Sequence, residues 1–242
     1  MKLKVIVPVV LPSREKDRKR TEILDAYKSV SRDDVEWGIV NLDQGPESIE
    51  SKYDEALAQP DVVRKIQEAE EQGFDACIID CFGDPGLYAA REVVHIPVVG
   101  AGQSAMFLAA MLSRRFSVIT VLAKTVPLIE DNARVYNIDS KLASVRAVNI
   151  PVLQLQSRKS ELIKRLSAEG SSAVEEEGAE AIVLGCTGMA GLAEAVKESL
   201  HRKGLKTLVI DPVQAAVKVA ESLVDLNLMK KEVHMPHLEG QI

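Results

Sequence analysis

The sequence predicts an α/β fold of two pseudo-symmetric lobes, each a mostly parallel sheet flanked by helices, with a ligand cleft between them. Three observations carry this. Apolar, β-branched runs alternate with helical stretches, the pattern of a parallel sheet covered on both faces. The alternation restarts midway along the 242 residues. And residues 70–87 and 175–192, 105 positions apart, share eight identities in eighteen positions, a cysteine among them.

The elements follow in order. Residues 3–10 are a β-branched run, read as a central strand, and Ile23, Leu24 and Tyr27 form the apolar stripe of a helix over 13–30. Residues 36–42 form a second strand, closed by the loop 43–48. Pro60 is expected to open a helix that runs through Val62, Val63, Ile66 and Ala69 to Gly73. A strand at 76–80, the Cys81 loop, a helix at 87–93, a strand at 96–99 and a helix at 103–112 complete the first pass. The second pass has strands at 116–122, 142–148, 181–184 and 207–210 and helices at 126–136, 160–177 and 192–200. Residues 100–105 align with 211–216, so each pass closes with a glutamine (Gln103, Gln214) in the first turn of its last helix.

Each repeat reads as a helix end, a glycine stop, a short strand, then Cys-x-Gly-x-x-Gly and a new helix. Glycine stops and apolar strands are generic to βα units; the shared cysteine is not. Ligands of open α/β sheets bind at the carboxyl ends of the strands, and Cys81 and Cys186 fall there. Backbone N–H groups at a helix start are expected to lower a thiol pKa. Gly83 and Gly188 allow close backbone approach.

Two thiols facing one sp3 carbon suit stereoinversion. One removes a proton as thiolate while the other, as thiol, returns one to the opposite face. No cofactor or metal is required if a carbonyl acidifies the C–H. Cys77, opposite Ile182 in the repeat, reads as core; Cys77 and Cys81 are spaced neither for zinc nor for redox pairing. Phe82 offers an apolar wall and Thr187 a hydroxyl. Asp84, whose repeat partner is Met189, either caps the next helix or positions the thiol. Thr120, late in its strand, points toward the crevice end. His234 and His237 lie in a terminal stretch, 230–242, with no committed scaffold.

Composition narrows the partners. A formal net charge of −6 argues against nucleic acid and anionic membranes. No apolar run is long enough to span a bilayer, and the apolar start fits a buried strand better than a secretory leader. Three cysteines suit free thiols in a reducing, cytoplasmic setting. The segments 81–87, 184–189, 45–51, 97–100 and 116–120 resemble the aspartate/glutamate/hydantoin racemase superfamily, the hydantoin racemase branch in particular. That resemblance implies a cofactor-independent racemase with Cys81 and Cys186 catalytic and the substrate between the lobes. It also implies that residues 207–226 rejoin the first lobe, giving lobes of 1–102 plus 207–242 and of 103–206, and it suggests a homo-oligomer.

The expected substrate-binding residues are Val10, Phe82, Gly83, Asp84, Gln103, Thr120, Thr187 and Gly188. Cys-Phe-Gly and Cys-Thr-Gly lack the polar groups with which amino-acid racemases of the superfamily hold ammonium and carboxylate, so a cyclic ureide such as a 5-substituted hydantoin is the leading substrate. Val10-Leu11-Pro12 and Gln103-Ser104 depart from the family pattern. Racemisation of allantoin or an amino acid, cis–trans isomerisation of an unsaturated diacid, and a non-catalytic binding protein are the alternatives.

Overall fold

The computed structural model describes residues 1–228; the tail with His234 and His237 lies outside the described residues. Two four-stranded parallel sheets form, with one strand order. The first is β2 (Glu36–Asn41), β1 (Lys2–Val7), β3 (Ala76–Ile79), β4 (Val98–Gly100); the second is β6 (Leu142–Ala147), β5 (Phe116–Thr120), β7 (Ala181–Leu184), β8 (Leu208–Ile210). Ile6 pairs with Ile79 at the end of the first central pair, and Ile119 pairs with Leu184 in the second. Strand order reverses at β1/β3 and at β5/β7, so each crevice opens where a cysteine loop begins.

The duplication extends to backbone conformation. Gly73 and its repeat partner Gly178 have φ of 78° and 69°, and Gly86 and Gly191 have 75° and 77°. Side chains rarely adopt these left-handed values, which explains why both copies keep glycine there.

The helices are α1 (Lys16–Lys28), α2 (Lys52–Glu71), α3 (Leu87–Val93), α4 (Ala101–Leu112), α5 (Val126–Val135), α6 (Lys159–Glu177), α7 (Ala193–Arg202) and α8 (Pro212–Asp225). Pro60 does not open α2 but lies within it. The start is set earlier, by Ser51, whose hydroxyl accepts from the Asp54 N–H at 3.2 Å. The buried stripe of Ala58, Val62, Ile66 and Ala69 carries the helix through the proline's missing donor.

The closing helices exchange partners: α4 packs on α8 and reaches β7 of the second sheet, while α8 packs on β3 and β4 of the first. Their small residues (Ala101, Gly102, Ser104, Ala105 and Ala109 in α4; Ala215, Ala216 and Ala220 in α8) permit this approach. One apolar core therefore runs between the lobes, joining Ile6, Ile79 and Met106 to Phe116, Val118 and Val183. Residues 207–226 divide. The sequence expectation put strand and helix together in the first lobe; β8 instead pairs with β7, and only α8 crosses to the first sheet. The strand follows the internal repeat, in which 207–210 is the fourth strand of the second pass, and its backbone hydrogen bonds are made there. Among the described residues no helix is long and apolar enough to cross a membrane.

Candidate active site

Each cysteine sits two residues beyond its strand. The Cys81 N–H bonds the Ile79 carbonyl at 2.9 Å, and the Asp84 N–H bonds the Cys81 carbonyl at 3.2 Å, curling the loop back on itself. Cys186 leads into a single turn, Thr187–Met189, with the Met189 N–H on the Cys186 carbonyl at 3.0 Å. In both copies the N–H of the Cys-x-Gly glycine, Gly83 or Gly188, faces its own thiol. The opposite lobe braces each loop. The Asn132 amide of α5 donates to the Gly83 carbonyl at 2.9 Å, and the Thr187 hydroxyl donates to the Asp80 carbonyl at 3.2 Å.

Cys81 and Cys186 line one pocket, with Glu55, Phe82, Gly83, Thr120, Leu128 and Val152 around them. Its volume is about 40 Å³, room for roughly two or three waters. Beside it, Glu50 joins the lobes by accepting from the Val152 N–H at 2.9 Å and pairing with Lys124 at 3.2 Å. A larger groove of about 540 Å³ runs between α1, α7 and α8, but no cysteine lines it. The chemistry belongs to the smaller pocket.

Burial governs the charges here. It holds the Cys81 thiol well above the ordinary thiol range and pushes Cys186 up to about 12, against the glycine N–H groups that favour thiolate. This corrects the expectation of lowered thiol pKa values: α3 begins only at Leu87, too far from Cys81 for its dipole to outweigh desolvation. Cys186 also raises Cys81 further, so one thiolate beside one thiol is favoured over two thiolates. Cys77, inside β3, is fully buried and pushed up to about 12 by the same burial. Among the described residues no group of three or more His, Cys, Asp or Glu is placed to hold a metal ion.

Of the candidates read from sequence, Cys81, Cys186, Phe82, Gly83 and Thr120 come together at the pocket. Thr187 and Gly188 serve the Cys186 loop and do not line it. Val10 instead packs against the first core, its N–H on the Pro46 carbonyl at 2.9 Å. Gln103 faces away, its side-chain oxygen taken by Arg91 at 2.7 Å. Sequence reading missed Glu55, Leu128 and Val152. The last two look like ordinary core residues, and an acid in a first helical turn looks like a solvated cap.

Asp84 caps a helix, though α4 rather than the next one. Its carboxylate accepts from the N–H groups of Gly102 (3.0 Å) and Gln103 (2.6 Å) and from the Tyr136 hydroxyl (2.7 Å). In the second lobe Met189 replaces it, and Asp211 caps α8 from the helix's own N-cap, on Val213 (2.9 Å) and Gln214 (3.3 Å). Asp211 also takes the Gly191 N–H at 2.6 Å, tying the Cys186 loop to α8. Asp211 aligns with Gly100, where a Cβ would lie 2.5 Å from the Asp84 Cγ. The two lobes supply one anionic cap from alternative chain positions.

Burial, opposed by these donors, pushes Asp84 up to about 7; Asp80, which accepts from Tyr27 at 3.0 Å, rises to about 6. Both bind a proton more tightly folded than unfolded. Their contribution to stability is therefore full below about pH 4 and is lost as pH rises through 6 to 7. Asp84→Asn removes one of the two titrations. Denaturant unfolding at pH 4.5 and 8 is expected to show the variant losing about 2–4 kcal/mol less than the native chain; equal losses would sink the assignment.

Comparison with known proteins identifies the family and the fold. Residues 21–220 match the family described as Asp/Glu/Hydantoin racemase. A hydantoin racemase of Pseudomonas sp. (strain NS671) is 44% identical over 226 residues, covering 93% of this chain and 87% of its own. The allantoin racemase structure from Klebsiella pneumoniae superposes with a TM-score of 0.86 at 35% identity, over 96% of this chain and 90% of that one. Allantoin racemase from Pseudomonas fluorescens gives 0.88 at 31% identity, over 100% of both chains. The chain belongs to the Asp/Glu/hydantoin racemase family.

Proposed function

We propose that the protein is a cofactor-independent racemase that inverts the ring stereocentre of a 5-substituted hydantoin, the class that includes allantoin, a hydantoin with a 5-ureido arm. The observation that carries this is the pair of thiols on one pocket, at equivalent positions of duplicated loops. One cysteine, as thiolate, takes the proton from C5, and the electron pair passes to the adjoining carbonyl as an enolate. The other thiol returns a proton to the opposite face of C5, and the two cysteines end with exchanged protonation states. Because burial raises both thiols, the rate rises with pH from neutrality upward, as the singly ionised pair gains population.

The lining favours a neutral ring over an amino acid or a diacid. Among the described residues that line the pocket, Glu55 alone bears a charge, and no cation is there to hold a carboxylate. Hydantoin and allantoin racemases both stand among the similar proteins, so either 5-substituent falls within the reading. Polarimetry and proton exchange in D2O, run on alkyl and aryl hydantoins, allantoin and free amino acids, test it. Inversion with exchange is expected for a hydantoin or allantoin and not for the amino acids; activity on amino acids alone would overturn it.

A further inference from the structure

Glu55 is the one residue of the pocket with a buried side-chain oxygen that lacks a hydrogen-bond partner. It stands in the first turn of α2, only 3% exposed, and it lines the pocket with both thiols. Its Oε2 takes the Lys52 ammonium at 3.2 Å, while Oε1 is buried with no hydrogen-bond partner. An unpaired buried carboxylate oxygen is costly, and a native protein retains one where something else supplies the donor.

The neighbours keep that oxygen open. It lies over Gly83, where any Cβ would collide with it, and Gly83 is also the residue whose N–H faces the Cys81 thiol. The pocket's two hydroxyl hydrogens are spent: Thr125 donates to the Leu122 carbonyl at 2.8 Å, so Thr120 donates to Thr125 at 2.7 Å. A ligand held between the thiols therefore meets one carboxylate oxygen that has no partner, beside Cys81.

We propose that Glu55 is a specificity-determining residue that accepts, through Oε1, the ring N–H adjoining the stereogenic carbon of the substrate. This rests on the cyclic-ureide reading above and adds which edge of the ring the protein reads. An N–H fixed on Glu55 sets the plane of the ring, so that the two faces of C5 turn toward the two sulfurs. It selects a secondary amide nitrogen over an N-alkylated one, because a site built for a donor rejects the analogue that lacks it.

The test compares a 5-substituted hydantoin with its N1-methyl analogue on the native chain, Glu55→Gln and Glu55→Leu. In Glu55→Gln the Lys52 ammonium holds the amide oxygen, so the NH2 takes the place of Oε1 and meets the ring N–H donor to donor. Both variants are expected to lose roughly 10–100-fold in kcat/KM on the N–H substrate, chiefly through KM. The native preference for N–H over N-methyl is expected to collapse to within about threefold in both. Glu55→Leu is also expected to raise the thermal midpoint, since it removes an unsatisfied buried oxygen; a merely structural carboxylate would lower it.

Full retention of the N-methyl penalty in both variants overturns the proposal. So does a lower kcat with a displaced pH profile and unchanged discrimination, which would make Glu55 the base that ionises Cys81. If the native chain inverts no hydantoin at all, the functional reading falls and this inference falls with it. Inversion without Glu55-dependent discrimination defeats this inference alone.

Discussion

Cys81→Ala and Cys186→Ala are each expected to abolish inversion, with a fall of at least 10²–10⁴-fold, the range for losing a positioned acid or base. Proton exchange is expected to separate the two variants. With one thiol gone, the remaining cysteine still removes and returns a proton on its own face. Each variant should then exchange deuterium into one enantiomer only, and the two variants into opposite enantiomers. Alanine is expected to leave the fold intact, because both thiols are only partly buried, at the edge of the cores where they line the pocket. Chiral chromatography with mass detection after incubation in D2O checks this. Residual inversion in either variant, or exchange into both enantiomers, would remove the two-base mechanism. Cys77→Ala is the matched control: its sulfur is fully buried in β3, so it is expected to cost stability while leaving inversion in place.

The second large effect is on stability and uses the exchanged caps. Gly100→Asp alone drives a Cβ against the Asp84 carboxylate and is expected to cost about 2–4 kcal/mol. Asp84→Met alone strips the acceptor from the Gly102 and Gln103 N–H groups and from Tyr136, at about 1–3 kcal/mol for each group left unpaired. Made together, the two substitutions give the first lobe the arrangement that Met189 and Asp211 have in the second. The double variant is expected to recover about 1–3 kcal/mol relative to the sum of the single losses. Urea unfolding of the four proteins at one pH measures this coupling. Strict additivity would mean that the caps are not interchangeable.

Much of the molecule was legible without coordinates, for a local reason. Strands announce themselves by β-branched runs, and Gly73, Gly86, Gly178 and Gly191 are required by backbone angles that each short segment imposes on itself. The cysteine positions followed from the same logic, since a residue directly after a parallel strand lies at its carboxyl end wherever the sheet goes. Pro60 was misread because a proline near a helical stretch is a start signal only when no stronger cap precedes it, and Ser51 does. The family resemblance implies crevice positions for Gln103 and Val10, whereas the side chain of Gln103 turns to Arg91 and Val10 packs against the core.

The sequence by itself determined the duplicated α/β architecture, the two cysteine loops and the family, because each is written in contiguous residues. Tertiary structure alone decided that β8 and α8 part company, the strand pairing in the second sheet and the helix packing on the first. It also decided that the thiols are raised by burial and that one oxygen of Glu55 waits unpaired beside Cys81. Pairing, desolvation and an unsatisfied acceptor all depend on groups brought together from distant parts of the chain, and no local pattern encodes them.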